Sequence, residues 1–115
     1  MSSQPRFLQG TYEFEGQGLD KPSLLDAALT YTVPAGNEAQ LVYFRGGNSS
    51  SELVCVIVMR DGEPMRLFPI GARAGTHVPL RVVEDLLAET DIEIHVAAPA
   101  GTSGHVVIDV GLVEI

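Results

Sequence analysis

Leu53-Val54-Cys55-Val56-Ile57-Val58-Met59-Arg60-Asp61-Gly62-Glu63 is the stretch on which the fold turns. Seven consecutive apolar residues match the length of a strand and fall short of a stable helix, and four of them are β-branched. Asp61-Gly62 follows at once. That pair suits a two-residue hairpin turn, which needs positive φ at both central positions. The stretch reads as a central strand covered on both faces, turning back into Met65-Arg66-Leu67-Phe68. Cys55 lies inside the apolar run and is expected to behave as a small buried hydrophobe.

The flanking sequence repeats the same grammar. N-terminal to the central run, residues 7–14 suit an edge strand with Leu8, Tyr12 and Phe14 on one parity. Glu15–Pro22 reads as a loop, and Ser23–Asp26 as one helical turn with Ser23 at its N-cap. Ala28–Val33 places Leu29, Tyr31 and Val33 on one face, and after Pro34–Asn37 the next strand spans Ala39–Arg45. Gly46–Ser51 is small and polar throughout, the composition of a flexible loop.

C-terminal to the hairpin, Ile70–Gly75 is irregular. Thr76–Val83 has period-2 character, with Pro79 pushing it to a sheet edge. Glu84–Thr90 reads as a short helical turn under which Leu86 or Leu87 plugs the core. Asp91–Ala97 alternates, with Ile92, Ile94 and Val96 inward and Asp91, Glu93 and His95 outward, and Pro99–Gly104 turns the chain into a last strand, His105–Ile115. The sum is an all-β fold. It is expected to be a two-sheet β-sandwich of about eight short antiparallel strands, jelly-roll or immunoglobulin-like, with at most one or two helical turns. At 115 residues the chain is expected to form a single domain over 1–115.

Composition narrows the partners. The net charge of −8 excludes nucleic acid and anionic lipid, because phosphate binding needs clustered Lys and Arg. The charge is also uneven. Arg45–Arg81 holds five arginines against three carboxylates, while the remainder holds Arg6 and Lys21 against twelve. Such asymmetry favours pairing with another copy or another protein. Cys55 is the only cysteine, so no intramolecular disulfide forms. Met1–Arg6 has no apolar core of a secretory signal and no run reaches the length of a membrane span, so the expected location is cytoplasmic.

No catalytic or metal signature stands out. His77, His95 and His105 fall on three different strands with no short ligand spacing, although His95 and Glu93 share a face that His105 and Asp109 on an adjacent strand would approach. Glu84, Asp85, Glu89, Asp91 and Glu93 are dense enough for a calcium site but lack the EF-hand frame. Gly101-Thr102-Ser103-Gly104-His105 brings Ser and His together without the nucleophile-elbow pattern. No catalytic, metal or cofactor residue is assigned, and the chain reads as no enzyme.

Two functions fit what remains. One is a structural or protein-interaction domain, self-associating as a homodimer or homotrimer or serving as an accessory subunit of a larger protein assembly. Its motive is apolar excess: Leu53–Met59 is apolar on both parities, whereas a sandwich buries only one face of each sheet. The alternative is a carbohydrate- or other small-ligand-binding module, calcium-assisted in one version, using Tyr43, Arg45 and Asn48 around the Gly46–Ser51 loop.

Overall fold

The computed structural model describes residues 3–115; Met1 and Ser2, part of the stretch read for a leader, lie outside the described residues. Nine strands follow one another: β1 (Gln4–Glu15), β2 (Gly18–Leu24), β3 (Thr30–Thr32), β4 (Ala39–Asn48), β5 (Val54–Arg60), β6 (Glu63–Ile70), β7 (Gly75–Pro79), β8 (Asp91–Ala98) and β9 (Ser103–Glu114).

β5 behaves as its sequence predicts on one parity. Val54, Val56 and Val58 are fully buried between the sheets, and the strand lies between β6 and β8. At the hairpin, Asp61 and Gly62 have φ of 49° and 82°, and Arg60 pairs with Glu63, so the turn is the two-residue primed type. The Asp61 carboxylate also accepts from the Asp91 amide at 2.9 Å, tying this corner to the start of β8.

The sheets are β1-β9-β4-β7 and β2-β8-β5-β6, with β3 beside β2 along the same edge of β8. β2 takes the Ala98–His95 end of β8 and β3 the Glu93–Asp91 end, so the two fill one strand position. Between them the Leu25 amide donates to the Ile94 carbonyl and the Ile94 amide to the Leu29 carbonyl, which carries the ladder across the gap. That leaves eight positions, and the chain changes sheet at every connection except β2–β3 and β5–β6. β1 with β9, β2/β3 with β8, β4 with β7 and β5 with β6 form the nested pairing of a jelly roll, which decides against the immunoglobulin-like alternative.

Ile92, Ile94 and Val96 of β8 and Val106, Ile108, Val110 and Leu112 of β9 fill the core from the two sheets. Phe44 and Phe68 stack across it with centroids 4.3 Å apart and planes 5° from parallel. Gly46 makes this possible: a Cβ there would lie 2.7 Å from the Phe44 ring.

Several expectations are corrected. Glu15–Pro22 is not all loop, because Gly18–Leu24 forms β2. It is an exposed edge strand with irregular register, which tolerates Pro22. Ser23–Asp26 is not helical; Leu25 continues the ladder, and Asp26 caps the Ala28 amide at 2.8 Å. β4 runs on through Asn48, so Gly46 and Gly47 are strand residues. β7 stops at Pro79 rather than Val83. Glu84–Thr90 contains no helix, yet Leu86 does plug the core through a two-way bridge to Ala39, while Leu87 points to solvent.

Candidate functional site

The outer face of the four-stranded sheet brings together two of the three residues singled out from sequence. Tyr43 and Arg45 stand two apart on β4 and share that face with Asp109 of β9, Gln9 of β1 and His77 of β7. The Tyr43 ring occupies the space above Gly111 that a side chain there would fill, and runs along β9 until its hydroxyl donates to Asp109 Oδ1 at 2.8 Å. Gln9 Nε2 donates to the same oxygen at 2.9 Å, and Arg45 approaches Oδ2 at 3.7 Å. The His77 ring meets Tyr43 edge-on at 6.2 Å.

These contacts set the electrostatics. Burial alone would raise the Asp109 carboxyl, but the hydrogen bonds from Gln9 and Tyr43 and the charges of Arg45 and His77 outweigh it and hold the carboxyl below its ordinary value. The Tyr43 phenol is pushed up, first by burial and then by the carboxylate it donates to. From sequence Asp109 is grouped with His95, Glu93 and His105; the structure places it with Tyr43, Arg45 and Gln9 instead. It is the lone charge in the run Val106-Val107-Ile108-Asp109-Val110.

Asn48 does not join this group. Its side chain is buried and donates to the carbonyls of Glu52, Ile70 and Gly71 while accepting from Ser50, so its hydrogen-bonding capacity goes into closing the loop after β4.

The other constellations come apart. His95 hydrogen-bonds Glu93 at 3.1 Å on the five-stranded sheet, whereas His105 and Asp109 belong to the four-stranded one. Ser103 and His105 line an end hollow with Glu13, but the His105 ring faces the exposed Glu13 carboxylate at 3.5 Å and makes no hydrogen bond to Ser103. Glu84 is held by Arg60 at 3.4 Å and Arg66 at 2.6 Å, so two arginines of the basic Arg45–Arg81 stretch find their partner within the chain. Asp85 accepts from Gln40 and Asp91 from Thr32. Among the described residues no three His, Cys, Asp or Glu side chains converge as a metal site would require.

The outer face of the five-stranded sheet carries an apolar cluster beside Glu93 and His95. Ile57, Met59 and Ala97 form a second buried cluster there, separate from the core, with Cys55 packed against it. Cys55 is therefore half-buried on this outer face rather than inside the core, and burial pushes its thiol up. Around the cluster stand Leu67, 62% exposed on β6, and Leu24, 41% exposed on β2, with Pro69 also open to solvent. No described helix is long and apolar enough to cross a membrane.

No protein-family model and no curated protein sequence matches the chain. Solved structures do share its shape. The infectious bursal disease virus Gt strain structure aligns at a TM-score of 0.52 and 10% identity over 97% of this chain. The VP2 subviral particle of infectious bursal disease virus aligns at 0.52 and 11%, again over 97%. In both, the chain spans 32% of the length of its counterpart. A family 35 carbohydrate-binding module from Clostridium thermocellum aligns at 0.49 and 14%, over 95% of this chain and 97% of that one. At such identities the likeness to the viral chains carries the fold: a jelly-roll sandwich.

Proposed function

We propose that the chain is a non-enzymatic interaction domain that associates with its own copies through the outer face of the five-stranded sheet. The carrying observation is the cluster of Ile57, Met59 and Ala97 on the side of the sheet away from the core, ringed by exposed Leu67, Leu24 and Pro69. A sandwich needs only one apolar face per sheet. The second one is explained when another surface covers it.

A second copy fits that surface best. With a net charge of −8, two copies repel unless they meet where charge is balanced. The centre of this face carries Glu93 and His95, already joined to each other, among apolar neighbours. Four strands about 4.8 Å apart and seven residues of about 3.3 Å each give a face of roughly 19 by 23 Å. Two such faces project roughly 900 Å2 between them, near the ~1,000 Å2 of a small specific interface. One face meeting its own copy across a two-fold axis gives a homodimer, the commonest closed form.

Sedimentation velocity at tens of micromolar tests the proposal with Leu67→Glu, which alters an exposed side chain and leaves the core intact. The expected result is an oligomer of the 12.3 kDa chain that Leu67→Glu converts to monomer. A wild-type monomer at low and high salt overturns it, as does an oligomer indifferent to Leu67→Glu.

A further inference from the structure

The opposite side of the sandwich has a feature that self-association does not use. Gln9, Asp109, Arg45 and His77 stand directly opposite one another on β1, β9, β4 and β7, so one row of polar side chains crosses all four strands. The neighbouring row is nearly bare: Thr11, Val107, Gly47 and Gly75 occupy it in the same strand order. Two glycines side by side leave backbone at the surface. The result is a trough of about 470 Å3, walled by Arg45, His77 and Asp109 and floored by Gly47, Gly75 and Val107.

The geometry points to a binding site for a neutral oligosaccharide lying across the strands of this sheet. Asp109 Oδ1 is held by Gln9 and Tyr43, which fixes the carboxylate and leaves Oδ2 directed toward Arg45. The 3.7 Å gap between Oδ2 and the Arg45 guanidinium is too long for a good hydrogen bond. An acceptor and a fork of donors thus stand side by side with capacity unspent. Adjacent sugar hydroxyls match that pair, one donating to Oδ2 while its neighbour accepts from the guanidinium.

The floor suits the other side of the ligand. The Gly47–Gly75 backbone and the Val107 methyls offer a floor of low relief and few polar groups to the C–H face of a pyranose ring, with no side chain at either glycine to displace it. Arg45 and Asp109 cancel in charge, so nothing at the site offsets the chain's overall −8 for an acidic ligand. The polar row spans three strand intervals, roughly 14 Å, the length of a short oligosaccharide rather than a monosaccharide.

The test is an NMR amide-shift titration of the full chain with cello-, xylo-, manno-, laminari- and chito-hexaose at millimolar concentration, beside an oligogalacturonate. At least one neutral series is expected to shift amides of residues 45–47, 75–77 and 107–109. Gly47→Val fills the trough without strain: its φ lies outside the left-handed region, and a Cβ there meets Val107 at 3.7 Å, an ordinary contact. It should weaken binding at least tenfold with the unfolding midpoint little changed. Arg45→Ala, at an exposed position, carries the same expectation should the glycine variant fold poorly. No response at these amides to any neutral series, unchanged binding by the variants, or binding of the oligogalacturonate alone each overturns the proposal.

Discussion

Asn48→Ala separates a structural from a ligand-binding role for this residue, and its cost can be worked from the contacts. The side chain is 4% exposed. Its Nδ2 donates to the Glu52 carbonyl at 2.8 Å and the Gly71 carbonyl at 3.1 Å, with the Ile70 carbonyl at 3.3 Å sharing the second proton. Its Oδ1 accepts from the Ser50 amide at 2.9 Å and the Ser50 hydroxyl at 2.8 Å. Truncation removes four well-made bonds, each contributing a net of about 1 kcal/mol. Water repairs part of the loss at the loop surface, so the expected destabilisation is about 3 kcal/mol. For a chain of this size that lowers the melting midpoint by roughly 10 °C. Asn48→Asp should cost no less, because it keeps the acceptor toward Ser50 but sets a negative charge against three carbonyl oxygens. Equilibrium urea unfolding reads both. A loss below about 1 kcal/mol for Asn48→Ala would refute the loop-closing role.

Gly62→Val should destabilise by about 1–2 kcal/mol and Gly62→Asn by less, since φ is 82° and nothing lies within 4 Å of an added Cβ, leaving backbone conformation as the whole cost; equal costs in urea unfolding would contradict the primed turn. Leu86→Ala should cost about 2–5 kcal/mol while Leu87→Ala stays within about 0.5, because the first plugs the core and the second faces solvent; similar values for the two would show that the 84–90 segment packs differently. The Asp109 carboxyl is held low in the folded chain, so its contribution is present above the ordinary carboxylate pKa of about 4 and is lost as pH falls through the folded value. Asp109→Asn should accordingly flatten the acid limb of a stability–pH profile, and an unaltered limb would contradict the hydrogen-bonded carboxylate.

What the sequence disclosed followed side-chain periodicity. β5, its Asp61-Gly62 turn and the alternation of β8 were readable because apolar spacing and turn chemistry point the same way there. β2 was hidden because it is an exposed edge with Gly18, Pro22 and polar residues between, and its strand character comes from the neighbouring β8 backbone. Gly46 and Gly47 looked like loop because local propensity cannot register the Phe44 ring that needs the first or the bare surface formed by the second. Parity misled at Cys55. An all-apolar run does not say which alternate residues face the core, and this sheet turns Cys55, Ile57 and Met59 outward. Asn48 was visible as a polar residue beside a loop, but its partners at Glu52, Ile70 and Gly71 are backbone carbonyls that sequence does not mark.

The same outward turn makes Cys55 a native reporter on the proposed association face. It is the only thiol in the chain, it packs against the Ile57–Met59–Ala97 cluster, and it is half-buried in the single copy. The decisive measurement is its rate of reaction with a neutral thiol reagent as a function of protein concentration at fixed pH, with mass followed in parallel. If copies associate through this face, the rate falls in step with the monomer fraction as concentration rises, and Leu67→Glu restores it. A rate that stays constant while the mass reports an oligomer, or a mass that stays at 12.3 kDa throughout, would contradict the account.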